Sequence, residues 1–234
     1  LESVMSKVWN KKIFEHIQKD VDKASKDLAE ERGACPDAEE YGIKERFSNK
    51  TAIAPTASIS IICGGSSPGI EPIAANSYTH KTLSGSFNVR NKYLKKILQK
   101  YKKDTDEVWS TITTNQGSVA HLDFLTAEEK DTFKTAFEID QRWIVELGAD
   151  RTPHISQAQS VNIFIPADIH KKELHDIHFQ AWKKGLKSLY YCRSKSIQRA
   201  ENVNDSKITD VTANVYKSKQ QTEQPEYEEC LSCQ

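Results

Sequence analysis

Ser160-Val161-Asn162-Ile163-Phe164-Ile165 and Lys187-Ser188-Leu189-Tyr190-Tyr191-Cys192 are two short runs rich in apolar residues, and Ala167–Lys184 between them reads as a helix. Apolar runs of this length read as short buried strands. Strands that alternate with helices point to βα units and a parallel sheet. The fold class expected is therefore α/β.

Working outward, Ser3 to Glu31 reads as one amphipathic helix, because Val4, Val8, Ile13, Ile17, Val21 and Leu28 recur at helical spacings. Gly33-Ala34-Cys35-Pro36 stops it, with glycine at the C-cap and proline beyond. A charged surface connection follows from Asp37 to Lys50. Thr51 to Ile62 reads as a strand and turn interrupted by Pro55. Further helices are expected at Asn91–Lys103 and Ala127–Leu147. Hydrophobicity falls away from Glu201 to Glu229, which reads as a linker. The chain starts at Leu1 and enters helical sequence almost at once, so a piece of something longer is expected.

Composition narrows the function classes. The 234 residues are 37% hydrophobic, enough for one substantial core or a large part of one. Lys plus Arg and Asp plus Glu balance at 33 each, which gives no electrostatic case for a nucleic-acid or membrane surface. No apolar run approaches a membrane span, and no signal peptide is evident. The cysteines are Cys35, Cys63, Cys192, Cys230 and Cys233. An odd number, irregularly spaced, reads as cytosolic and redox-active rather than as a secreted disulfide framework.

Three segments carry candidate chemistry. Cys230-Leu231-Ser232-Cys233 is a dithiol close to Gln234, behind the polar stretch. A thiol shuttle, half of a zinc site and no role at all stand equal on the tail alone, although no second cysteine pair lies nearby to complete a zinc site. About 30 residues separate Arg199 from Cys230, a length with a typical reach of roughly 30 Å. Ala54-Pro55-Thr56-Ala57-Ser58-Ile59-Ser60 is a run of small and hydroxyl residues after a proline. A helix beginning there would hold an anion such as a phosphate, but the residues alone favour an ordinary turn. Tyr190-Tyr191 reads from spacing alone as two core aromatics; stacked rings would require the strand to end or bend at the pair. His170, His175 and His178 read as solvent-facing or capping, so no metal site is expected. The glycine loop Cys63–Gly69 is neither a Walker A loop nor Gly-x-Gly-x-x-Gly.

Several blocks, in order along the chain, resemble the large, catalytic subunit of ribonucleotide reductase. They are Ala54 to Gly64, Gly69-Ile70-Glu71-Pro72, Tyr78 to Phe87, Phe137 to Trp143, Ala158 to Ile165, Leu189-Tyr190-Tyr191 and the terminal cysteine pair. The tyrosine pair points to class I, whose radical comes from a separate metal-containing small subunit. The resemblance implies that Pro55, Thr56, Ala57, Ser58 and Ile59 bind the substrate's diphosphate. Tyr190 and Tyr191 would form a radical relay, with Tyr190 nearer the active-site cysteine. Cys230 and Cys233 would re-reduce the active-site disulfide, and thioredoxin or glutaredoxin would reduce them in turn.

The family's thiyl-radical cysteine lies in an Asn-x-Cys-x-Glu motif, which this chain does not contain. The resemblance therefore covers a C-terminal portion of the subunit. Residues 1–200 would be part of a ten-stranded α/β barrel, incomplete alone, followed by a flexible linker at 201–229 and a redox tail at 230–234. Activity would need the N-terminal part, which would also carry the ATP and deoxynucleotide effector sites. This portion would bind no cofactor of its own. A split gene and an incomplete sequence both fit such a chain. The alternatives are a cobalamin-dependent class II fragment, against which the tyrosine pair argues, and a non-catalytic redox carrier or interaction module.

Overall fold

A computed structural model of the chain describes residues 1–82 and 85–195, and residues 1–195 form one unit. The expected linker at 201–229, Cys230, Cys233 and the boundary at residue 200 lie outside the described residues.

The βα unit read from the sequence is present, with shorter strands. β3 (Ile163–Ile165) and β4 (Cys192–Ser194) pair in parallel, Ile163 opposite Cys192, and α8 (Lys171–Lys183) crosses between them. All three β3 residues are buried, as expected of a parallel strand covered on both faces. Its Phe164 N–H donates to the Gln141 side chain at 2.8 Å, and the Phe164 ring meets Phe137 edge-on at 5.4 Å. On the other side of this segment, Ile53 forms a parallel bridge with Gln159. Ile53 N–H donates to Ala158 O, and Ser160 N–H donates to Ile53 O. Three extended segments therefore run side by side in the order 51–53, 158–165 and 190–194.

α1 (Val4–Arg32) starts at Ser3, whose hydroxyl accepts from Ser6 N–H, and stops at Gly33, whose φ of +82° suits glycine. Its contact with α7 (Gln141–Arg151) is largely polar. Lys7 pairs with Glu146 and Asp150, Lys11 pairs with Asp150, and Asn10 Nδ2 donates to Leu147 O. The apolar stripe is left uncovered, with Val4 72% exposed and Met5, Trp9 and Ile13 also exposed. A short α2 (Pro36–Glu40) follows.

The two larger apolar clusters among the described residues hold the unit together. One joins α7, β3 and α8 through Val145, Ile163, Ile177 and Ala181. The other joins α4 (Lys92–Lys100) to α5 (Asp106–Thr114) through Leu94, Leu98, Trp109 and Ile112. Asn91 caps α4, and Trp109 Nε1–H donates to Asp104.

Several expectations need correction. Residues 51–62 are not one strand and turn: only Ile53 bridges, and Ala57–Ile62 is a helix, α3. The helix expected at 127–147 is two, α6 (Ala127–Thr132) and α7. Between them Ala136 N–H turns away to Ile73 O, and Asp140 caps a fresh start. The strand expected at 187–192 begins only at Cys192, because Tyr191 N–H bonds to the Asn162 side chain instead of to a strand neighbour. The structure adds a hairpin of β1 (Ser77–Thr82) and β2 (Gly85–Arg90), on whose second strand Phe87 and Val89 alternate with polar residues. Among the described residues no helix is long and apolar enough to cross a membrane.

Candidate functional site

The chain leaves Ile53 through Ala54-Pro55 and turns at Thr56, whose φ of +52° and ψ of +31° are left-handed. That conformation costs a β-branched residue on the order of 1–2 kcal/mol. Something must hold it there. Thr56 Oγ1 accepts the Gly69 N–H at 2.8 Å, which ties the turn to the short 3₁₀ segment Pro68–Ile70. Gly69 is itself left-handed at φ +52°. A Cβ there would lie 3.0 Å from Ser160 Oγ, 3.2 Å from Ala54 O and 3.3 Å from Pro55 O. Glycine lets one backbone lie directly on the other.

α3 then starts at Ala57 with no side-chain cap. The first N–H groups of a helix have no intrahelical acceptor, and Ala57, Ser58 and Ile59 are exposed. Ser60, by contrast, is buried, and its hydroxyl donates to Ala57 O at 2.7 Å. Lys92 Nζ donates to Gly64 O in the loop after α3, leaving a cation beside it. The arrangement of strand, left-handed turn and helix start presents N–H donors at the start of α3, as anion sites do, while Lys92 sits past its other end. Pro55, Thr56, Ala57, Ser58 and Ile59 are thus brought together in one turn.

The second place is the tyrosine pair. Tyr190 N–H donates to Val161 O at 2.9 Å, and Tyr191 O accepts from Ile163 N–H at 3.0 Å. Both residues lie just before β4, where strict side-chain alternation does not hold. Their ring centroids are 4.2 Å apart at an interplanar angle of 57°. The two residues are 48% and 43% exposed. They border an open cleft of about 470 Å³ with His178, Trp182 and Leu186.

Two residues that lie in the resembling blocks without an expected role join these places. Asn162, 1% exposed, accepts the Tyr191 N–H on Oδ1 at 2.8 Å and donates from Nδ2 to Glu71 Oε1. Burial pushes the Glu71 carboxyl up from its ordinary value, against the opposing pull of Arg193 and the Asn162 amide. A lone carboxamide inside an apolar strand was the available signal for Asn162. Burial also pushes the Cys192 thiol up, and Cys35, Cys63 and Cys192 are free thiols. His170 caps α8, and His178 bonds to Leu174 O. Cys230 and Cys233 lie outside the described residues.

Residues 36–192 match the family described as ribonucleotide reductase, barrel domain. The chain belongs to this family. It is 46% identical over 198 residues to the ribonucleoside-diphosphate reductase large subunit of Invertebrate iridescent virus 6, covering 83% of this chain and 20% of that protein. It is 43% identical over 212 residues to the same subunit of Invertebrate iridescent virus 3, covering 89% of this chain and 33% of that one. Among solved structures it superposes on the Actinobacillus ureae class Id ribonucleotide reductase alpha subunit with a TM-score of 0.76 at 37% identity, covering 83% of this chain and 35% of that chain. The chain thus spans about a fifth to a third of the length of these relatives and corresponds to a portion of the reductase large subunit. The parallel segments 51–53, 158–165 and 190–194 are part of a ribonucleotide reductase barrel.

Proposed function

We propose that this chain is the C-terminal portion of a class I ribonucleotide reductase large subunit and contributes three parts to the reduction of ribonucleoside diphosphates. The turn Pro55–Ile59 binds the diphosphate through the first N–H groups of α3. Tyr190 and Tyr191 relay an oxidising equivalent from a metal-containing small subunit toward a thiyl-forming cysteine on the N-terminal part. Each hop removes one electron and one proton from a phenol and returns both to the previous radical. Cys230 and Cys233 carry the two electrons that each ribonucleotide consumes. They form a disulfide as they reduce the active-site disulfide, and thioredoxin or glutaredoxin restores them. The effectors bind the N-terminal part, and the place of work is the cytoplasm.

The observation that carries this reading is the contact between Tyr190 and Tyr191, 4.2 Å between ring centroids, at the entrance to a barrel strand. Two core aromatics would not need adjacent, half-exposed rings on one side of the chain. The uncovered apolar stripe of α1 and the exposed Ile59, Ile61 and Ile62 support the need for further protein to complete the barrel.

The test is Tyr190→Phe in the enzyme reassembled with an N-terminal part and the small subunit. The ring and the backbone bond from Tyr190 N–H to Val161 O remain, so folding is expected to be unchanged while turnover is abolished. Retained turnover in this variant sinks the relay.

A further inference from the structure

Tyr191 sits just before the β4 ladder begins, and its N–H turns to a side chain rather than to a strand neighbour. The acceptor is Asn162 Oδ1, 2.8 Å away. A backbone N–H can only donate, so the carboxamide oxygen must face Tyr191 and the Nδ2 must face the other way. There it meets Glu71 Oε1. Glu71 directly follows the segment whose Gly69 N–H holds Thr56 in its left-handed turn. Asn162 is almost fully buried between the apolar residues Val161 and Ile163, where a carboxamide is costly unless both of its ends are bonded.

We propose that Asn162 is a positioning residue for the tyrosine pair. It fixes Tyr191 by accepting its backbone N–H, and Glu71 fixes Asn162, so that the pair is tied to the segment 69–71, whose Gly69 N–H in turn holds the phosphate turn at Thr56. The role in catalysis rests on the relay reading above; the tie itself does not.

The tie is read first in the full chain, by amide hydrogen exchange of ¹⁵N-labelled protein. Losing one buried hydrogen bond speeds exchange of that amide by on the order of tenfold. Asn162→Leu and Glu71→Leu are expected to speed the Tyr191 amide by that factor. Glu71→Gln keeps an acceptor for Nδ2 and is expected to leave it unchanged. The amides of Tyr190 and Ile163, which bond to backbone oxygens, should stay protected in all three variants. Equal protection of Tyr191 in Glu71→Leu and the wild type overturns the proposal, and this comparison stands even if Asn162→Leu does not fold.

The second arm uses the enzyme reassembled with the N-terminal part and small subunit. Glu71→Leu should lower kcat on the order of tenfold or more with KM for the nucleoside diphosphate little changed, since small misplacement of reacting groups acts on the rate. Glu71→Gln should restore it. An unchanged kcat in Glu71→Leu overturns the positioning role. Tyr191→Phe in the same assay separates the two readings. Full turnover there removes the relay and with it the catalytic role of Asn162, while the exchange measurement still judges the tie.

Discussion

Gly69→Ala perturbs the Pro55–Ile59 turn where a second backbone lies closest against it. Two effects add. The first is strain, because Gly69 has φ +52°, and an alanine held in that region costs about 1–2 kcal/mol, of which roughly 0.4–1 kcal/mol is offset by the stiffer unfolded chain. The second is crowding. The new Cβ would lie 3.2 and 3.3 Å from Ala54 O and Pro55 O and 3.0 Å from Ser160 Oγ. The hydroxyl can rotate away, but the two carbonyls belong to the backbone of the turn itself. Overpacking of this kind costs roughly 1–3 kcal/mol. The expected loss is thus about 2–4 kcal/mol, a large share of a typical domain's stability. Gly65→Ala is the control, because Gly65 is left-handed at φ +72° and an added Cβ would meet nothing within 4 Å. It carries the strain without the crowding and should cost about 1 kcal/mol or less. Urea denaturation of the two variants and the wild type measures the difference from midpoints at constant m. If Gly69→Ala and Gly65→Ala agree within about 0.5 kcal/mol, the close packing of the two backbones contributes nothing and the reasoning fails.

The docking of α1 and α8 on α7 should depend on pH. Burial opposes ionisation of Glu146, but hydrogen bonds from Lys7, Lys184 and Gln180 outweigh it and hold its carboxyl at about 2, below the ordinary 4.5. A depressed carboxyl contributes stability that is fully present above pH 4.5 and is lost as pH falls toward 2. Solvent screening of these partly exposed pairs leaves about 1–2 kcal/mol of the effect. Glu146→Gln should flatten the stability curve over that window, and an unchanged curve would mean that the pairs do not anchor the helices. The double change Cys230→Ser and Cys233→Ser, made in the reassembled enzyme, should collapse turnover driven by thioredoxin and largely spare turnover driven by dithiothreitol, which reaches the active-site disulfide directly. Equal losses with both reductants would make the tail structural.

The α/β class was legible in the sequence because Ile163, Phe164 and Ile165 form an apolar run long enough to mark a buried strand, with a helix before the next run. The strand limits were not. Tyr190 and Tyr191 have strand-like composition, yet Tyr191 N–H is taken by a side chain that is distant in sequence. The same limit hid the break between α6 and α7, where Ile73 takes the Ala136 N–H across more than 60 residues. The hairpin Ser77–Arg90 is faint in the sequence because only Phe87 and Val89 alternate with polar residues on β2, and the facing run Ser77–Thr82 adds a single apolar residue, Tyr78. Local pattern leaves Ala57–Ile62 open between strand and helix, since Ile, Ser and Ala fit either state. What decides for helix is the left-handed Thr56, held by a glycine thirteen residues further on. In the candidate site, the residues of the turn and the tyrosine pair were visible through resemblance to the family. Glu71 and Asn162 lie in the same blocks, but only the folded chain brings them into contact.

The most direct test of the central claim is reconstitution. The purified chain is mixed with a radical-bearing small subunit, a ribonucleoside diphosphate and dithiothreitol, with and without an N-terminal part that carries the Asn-x-Cys-x-Glu motif. Deoxyribonucleotide formation is expected only when all parts are present, because on the proposed reading this chain supplies the turn and the relay, and it lacks the Asn-x-Cys-x-Glu cysteine. Turnover by the chain and small subunit alone, or none with the N-terminal part added, would contradict it.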